Sequence, residues 1–426
     1  MSEPAGAQAW RWRNVLQSPH RVGFLSGMAV LVAASAWWAL VQADRSGLGP
    51  GLRYAVSPTL THATIMVFGF MPAFFAGFLF TAGPRWLELP PQRASSLVAP
   101  LGVQAIGWLS WLLGAHLGER IAQAGLALVL AGFVVVTWRF AALVRASMAD
   151  DRVHARVIAG AHIVGCACLA GVLAASLAGD GAVAIEAART GLWWFIVPVF
   201  LAAADRLIPF FSADALPAGR LAFARHSLAL LLALAALEGA SIRVTWPHLQ
   251  VAVGLLECVA TVLLLALAIA WTRVKRLASR LLVMFHTGLL WLALSLLLAG
   301  AGRLLTTGTG EDVLPLAGLH ALAMGGLGSL MLAMVSRVSA GHGGRPDTGD
   351  AWLWGLFCLL QVAVVLRVAA AVVPLQGLLT VAALGWAVTM LAWGVRHADW
   401  YGRPRFVSAR QHAGVAARTQ PTGEQR

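Results

Sequence analysis

The chain has 426 residues, 59% of them hydrophobic and 12% charged, with a formal net charge of +13. A soluble domain carries roughly a quarter charged residues, so this composition excludes an ordinary soluble enzyme. The basic excess does not point to nucleic acid either, because the arginines and lysines sit in short segments between long apolar runs.

Those runs are long enough to cross a bilayer as helices and far too long for barrel strands. They predict an all-α, polytopic transmembrane helical bundle of about 12 spans, at 22–43, 60–83, 97–117, 119–143, 156–178, 185–204, 222–243, 248–271, 279–300, 314–337, 351–373 and 376–395. Residues 1–21 read as an N-terminal segment, 22–395 as the transmembrane domain, and 396–426 as a basic tail that is disordered beyond Arg405. The first span is too long for a signal-peptide core and reads as a retained helix. The loops on one face carry only Arg45, Arg53, Arg120, Arg189, Arg243 and Arg303, and Arg367 lies inside a span; every other Lys and Arg falls on the opposite face. This asymmetry places both termini in the cytoplasm.

In chain order, the second span reads HATIMVFGFMPAFFAGFLFTAGPRW and opens on His62. Gly69, Ala73, Gly77 and Thr81 recur every fourth residue, a ridge that lets another backbone approach closely, and Pro72 predicts a kink. Met66 shares the face of His62. The fifth span holds His162, with Cys166 one turn on, and the sixth ends on Arg206 in DRLIPFF. Glu238, Glu257 and His286 follow in the next three spans. The tenth region, LPLAGLHALAMGGLGSLMLAMVSRVSAGHGGRP, has its own small ridge of Ala317, Ala321, Gly325, Ser329 and Ala333. The adjacent ridge, His320, Met324 and Gly328, suits either a flat group packed on the helix or a tight helix contact. The region ends on Arg337, His342 and Arg345. The four cysteines lie in apolar runs, with no CxxC and no haem-attachment motif.

Ionisable groups inside a bilayer are costly, so each is a candidate for function. The span order gives an outer histidine pair, His62 and His320, and an inner pair, His162 and His286. Two imidazoles from different helices can clamp a haem or share a copper, and a single one can equally serve as an interhelical hydrogen bond. Arg206 and Arg337 are ordinary basic span ends or partners for haem propionates. Arg367 is expected to pair with Glu257 or Glu238, since an unpaired charge in lipid is expensive. Twelve spans with buried Glu and Arg also suit a secondary transporter without a redox cofactor. No phosphate-binding loop, HExxH or terminal-oxidase histidine pair is present.

The motifs HALAMGGLGSLMLAMVSRVSAGHGGRP and HATIMVFGFMPAFFAGFLFTAGPRW, with DRLIPFF, the MFHTGLLWLAL run and Arg367 in VVLRVAAAVVP, resemble the NnrS family along nearly the whole chain. These are bacterial membrane proteins of twelve spans that bind haem and copper and are linked to the nitric oxide response and denitrification. The resemblance implies a multi-pass protein of the bacterial inner membrane that binds haem and meets nitric oxide as a small ligand. With the residue reading above, the candidate metal ligands are His62, His320, His286, His342 and His162, and the candidate cofactor contacts are Arg206, Arg337 and Met324. The family usually reads HxHEM at the start of the second span. Here Thr64 and Ile65 stand at the second histidine and the glutamate, which leaves copper one ligand-type residue fewer.

Overall fold

The computed structural model describes residues 9–212, 221–275, 279–311, 313–314, 316–345, 349–373 and 375–405. Among them there are helices and no strand. A short turn, α1 (Trp12–Val15), leads into α2 (Pro19–Arg45). The second expected span is split into α3 (Pro58–Phe68) and α4 (Met71–Trp86). Next come α5 (Ser95–Leu117), α6 (Glu119–Ala146) and α7 (Val153–Leu177). The sixth span comprises α8 (Gly181–Gly191), a π-helical segment Leu192–Ile196 and α9 (Val197–Ser212). Then follow α10 (Leu221–Ser241), α11 (Pro247–Lys275) and α12 (Arg280–Thr309). The tenth span comprises α13 (Ala317–His320), a second π-helical segment Ala321–Leu327 and α14 (Gly328–Gly343). The chain closes with α15 (Ala351–Ala369) and α16 (Gln376–Tyr401).

Eleven of the described helical stretches are long and apolar enough to cross a membrane. The remaining expected span, 222–243, coincides with α10, which runs over 21 residues. The expectation for the tail beyond Arg405 lies outside the described residues. Helix α16 itself runs on to Tyr401, which takes His397 out of the expected tail and buries it at 1% exposure.

The small-residue ridges act as read. Gly23 of α2 and Gly77 of α4 meet so closely that a Cβ on Gly23 would lie 2.4 Å from the Gly77 Cα. Thr81, one turn further, accepts the backbone N–H of His20 at 2.9 Å. The second span breaks at Gly69 and Phe70, because Pro72 offers no N–H to the carbonyl one turn before it. In the tenth span Ala317, Ala321, Ser329 and Ala333 are all fully buried. The flat groups packed on it are indoles: a Cβ on Gly325 would lie 2.5 Å from Trp291, and one on Gly328 3.3 Å from Trp386. Trp291 in turn donates its Nε1–H to Gln361 Oε1 at 2.7 Å, and Gln361 donates to Ser329 Oγ at 3.0 Å.

The segment before α2 and the end of α16 meet on one face. Trp10 Nε1 donates to the Ala398 carbonyl at 3.0 Å, Asn14 Nδ2 to that of Gly402 at 2.8 Å, and the buried Arg21 to that of Tyr401 at 3.2 Å. We call this the terminal face and the opposite one the distal face. Reporter fusions are expected to read cytoplasmic after Arg156 and periplasmic near Gly181 and Gly310, in keeping with the basic-residue asymmetry. Exchanged signals at these sites would invert the orientation used below.

Candidate functional site

His62 lies in the first turns of α3 and His320 ends α13, so both imidazoles sit toward the distal face. Helix α13 packs against α15, which carries Arg367 in its last turn, so Arg367 lies at the same end of the bundle as the two imidazoles. Arg189 contributes to the field at His320 and Arg45 to that at His62. The His62 ring stacks on Trp38 of α2, with centroids 3.9 Å apart and planes tilted by 16°.

Local structure aims these nitrogens. Leu314 and Leu316 both take left-handed φ, at 62° and 61°, a strained conformation for a branched residue. The Leu316 carbonyl then accepts both the backbone N–H and the Nδ1 of His320, each at 3.0 Å. A carbonyl only accepts, so Nδ1 carries the hydrogen and Nε2 presents a lone pair. The π-helical segment starts at the next residue, and such segments occur often at functional sites. His62 differs: its Nδ1 is buried with no hydrogen-bond partner among the described residues. Thr64, at the position of the family's second histidine, is also fully buried, with an unpartnered hydroxyl.

The expected pairing of Arg367 is not what the structure contains. Glu238 and Glu257 both bind Arg303, at 3.1 Å each, and among the described residues Arg367 has no ion-pair partner. Arg303 was expected in a loop; α12 continues past its apolar run to Thr309 and carries it into the bundle. Arg367 is left half-buried in the last turn of α15.

The second histidine pair is not assembled in the same way. His162 is ringed by Phe75, Phe133, Phe140 and Phe195, at centroid distances of 5.0 to 6.2 Å, and His286 is not among its ring neighbours. His162 donates Nδ1–H to the Ile158 carbonyl at 2.8 Å and keeps an unpartnered, buried Nε2. His286 is half-buried on α12. His342, toward the terminal face, meets His20, with ring centroids 4.5 Å apart. His20 was invisible as a candidate because it precedes the first apolar run, yet α2 begins at Pro19 and buries it at 2% exposure. Beyond this pair lies a small apolar pocket, walled by Phe24, Phe74, Phe78, Met331, Met334 and Val338 among others.

Of the candidate cofactor contacts, Arg206 lies within α9, 3.3 Å from Asp151 and over the ring of Trp86. Arg337 is half-buried on α14, and Met324 packs against the core from the π-helical segment. Near the terminal face, the Arg396 guanidinium holds the Asp350 carboxyl below the usual carboxylate range.

Fold and site thus define a polytopic helical membrane protein with imidazoles and an unpaired arginine gathered inside it. The chain belongs to the NnrS family, whose model matches residues 14–405. Comparison with curated proteins and with solved structures finds no match.

Proposed function

We propose that this protein binds haem at the His62–His320 site, in the outer half of the bacterial inner membrane, and serves the response to nitric oxide. Family membership supports the nitric oxide connection. The observation that carries the site is that His62, His320 and Arg367, which has no ion-pair partner among the described residues, lie half-buried toward the same face.

The donor set fits an anionic chelate better than a bare cation. Two imidazoles can offer lone pairs, and Arg367, Arg189 and Arg45 are basic groups carried by helices α15, α8 and α2 toward the same end. No group of three or more His, Cys, Asp or Glu suited to a metal ion occurs among the described residues. Beside these two imidazoles the described residues add no third ligand and no anionic one to compensate a copper ion, and no step is assigned to it. A macrocycle with propionates meets the arginine charge.

A bound haem would supply an iron able to take up nitric oxide. The chain's own residues do the rest. His320 is held through Nδ1 by the Leu316 carbonyl, so it would offer Nε2 to the iron, as ligand histidines are commonly held through their other ring nitrogen. His62 offers the second imidazole, with Trp38 covering one ring face. Arg367 positions an acidic group.

Protein purified from haem-replete cells is expected to show a Soret band that shifts on adding nitric oxide. His62→Ala and His320→Ala should each lower haem occupancy or change the axial spectrum. His248→Ala should not, because that ring stacks on the exposed Trp246. Full loading and an unchanged spectrum in both histidine variants would refute this site. A wild type with no Soret band would remove the haem reading and leave a secondary transporter in its place.

A further inference from the structure

Helices α10, α11 and α12 form a unit around a small core of their own, Leu264, Ala293 and Leu296, with Leu231 and Leu234 against it. Inside it lies a polar cluster. Arg303 Nε donates to both oxygens of Glu257 at 3.1 Å, and Nη2 donates to Glu238 Oε2 at 3.1 Å and Ser241 Oγ at 2.8 Å. Nη1 donates to Gln250 Oε1 at 2.6 Å. Glu238 is 2% exposed and Glu257 0%, and no other Asp or Glu belongs to the buried class among the described residues.

The charges in this cluster do not balance. Two carboxylates face one guanidinium, and among the described residues the electrostatic neighbours of Glu257 are Glu238 and Arg303 alone. The nearby pair Glu186 and Arg243, 3.5 Å apart, closes on itself in a more exposed position. Removing a net negative charge from water without compensation is prohibitive in an apolar setting. Two further observations point the same way. The carboxyl groups of Glu238 and Glu257 are brought together on the one guanidinium, at 3.1 Å each, and Glu238 Oε1 is buried with no partner among the described residues. Ionised carboxylates are acceptors only, so they can bond each other only when one carries a hydrogen.

We propose that Glu238 and Glu257 form a carboxyl dyad that binds one proton, an intramembrane protonation site separate from the histidine site. The proton comes from water on the distal side, where α10 ends and α11 begins, and converts one carboxylate to a carboxylic acid. Arg303, the member with partial side-chain exposure, marks the route. With the proton bound, one carboxylate balances one guanidinium and the cluster is neutral. Loss of the proton returns the uncompensated charge, so the titration belongs to the pair rather than to either residue.

Infrared difference spectroscopy of the full-length protein in lipid nanodiscs, across a pH step, tests this directly. The wild type should show the carbonyl stretch of a buried carboxylic acid, moving in D2O and vanishing at high pH. Glu238→Gln and Glu257→Gln should each abolish it, because one remaining carboxylate is balanced by Arg303 without a proton. A wild type with no such band refutes the dyad, whether or not the variants fold. A band that survives in both single variants also refutes it. Neither result depends on haem content.

Discussion

Arg303→Met is expected to be the most destabilising single change in this protein. It leaves Glu238 and Glu257 buried without their shared partner, and breaking a buried ion pair from one side costs about 3–5 kcal/mol. Gln250 and Ser241 lose their donor in the same step. The loss should be read as a fall in thermal midpoint and in monodisperse yield after detergent extraction. Adding Glu238→Gln and Glu257→Gln to Arg303→Met should restore most of the stability, since a neutral, hydrogen-bonded set carries no desolvation cost for charge. If Arg303→Met melts with the wild type, the cluster is hydrated and its ion pairs are dispensable.

That cluster also shows where sequence reading succeeds and where it stops. Apolar length and the absence of charge located the spans, and the four-residue ridges correctly marked the Gly23–Gly77 crossing and the buried face of the tenth span. Pro72 marked a real break, because a missing N–H is a local property of the chain. Spacing along a helix also gives depth, which is why His62 and His320 could be placed toward one face together. Depth does not say which helices are neighbours. Glu238, Glu257, Arg303 and Arg367 all lie toward one end of the bundle, and only packing decides that Arg303 takes both carboxylates. The notches at Gly325 and Gly328 suited any flat group, and the fold fills them with Trp291 and Trp386. His20 escaped notice because helix α2 begins before its apolar run does. The π-helical segments and the left-handed Leu314 and Leu316 carry no sequence signature; they arise from tertiary fit and tend to mark functional regions.

Arg367→Met should behave in the opposite way to Arg303→Met. Arg367 is half-buried, in the last turn of α15, and has no carboxylate to strand when it is removed. Folding stability should therefore hold or rise, because the change deletes a costly charge and leaves no orphan behind. Ligand retention should fall. A hydrogen bond to a charged group contributes about 1.5–3 kcal/mol, which corresponds to haem held about 10- to 100-fold more weakly. Arg206→Met is the comparison, because Arg206 is engaged with Asp151 and Trp86 at the terminal face, away from His62 and His320. Haem dissociation to an excess of apomyoglobin, followed in the Soret region, separates the two variants. Rapid loss from Arg367→Met and wild-type retention in Arg206→Met identify Arg367 as the propionate partner. Wild-type retention in Arg367→Met, with a lowered thermal midpoint, would make this arginine a structural element of α15 and move the acidic group of the ligand elsewhere.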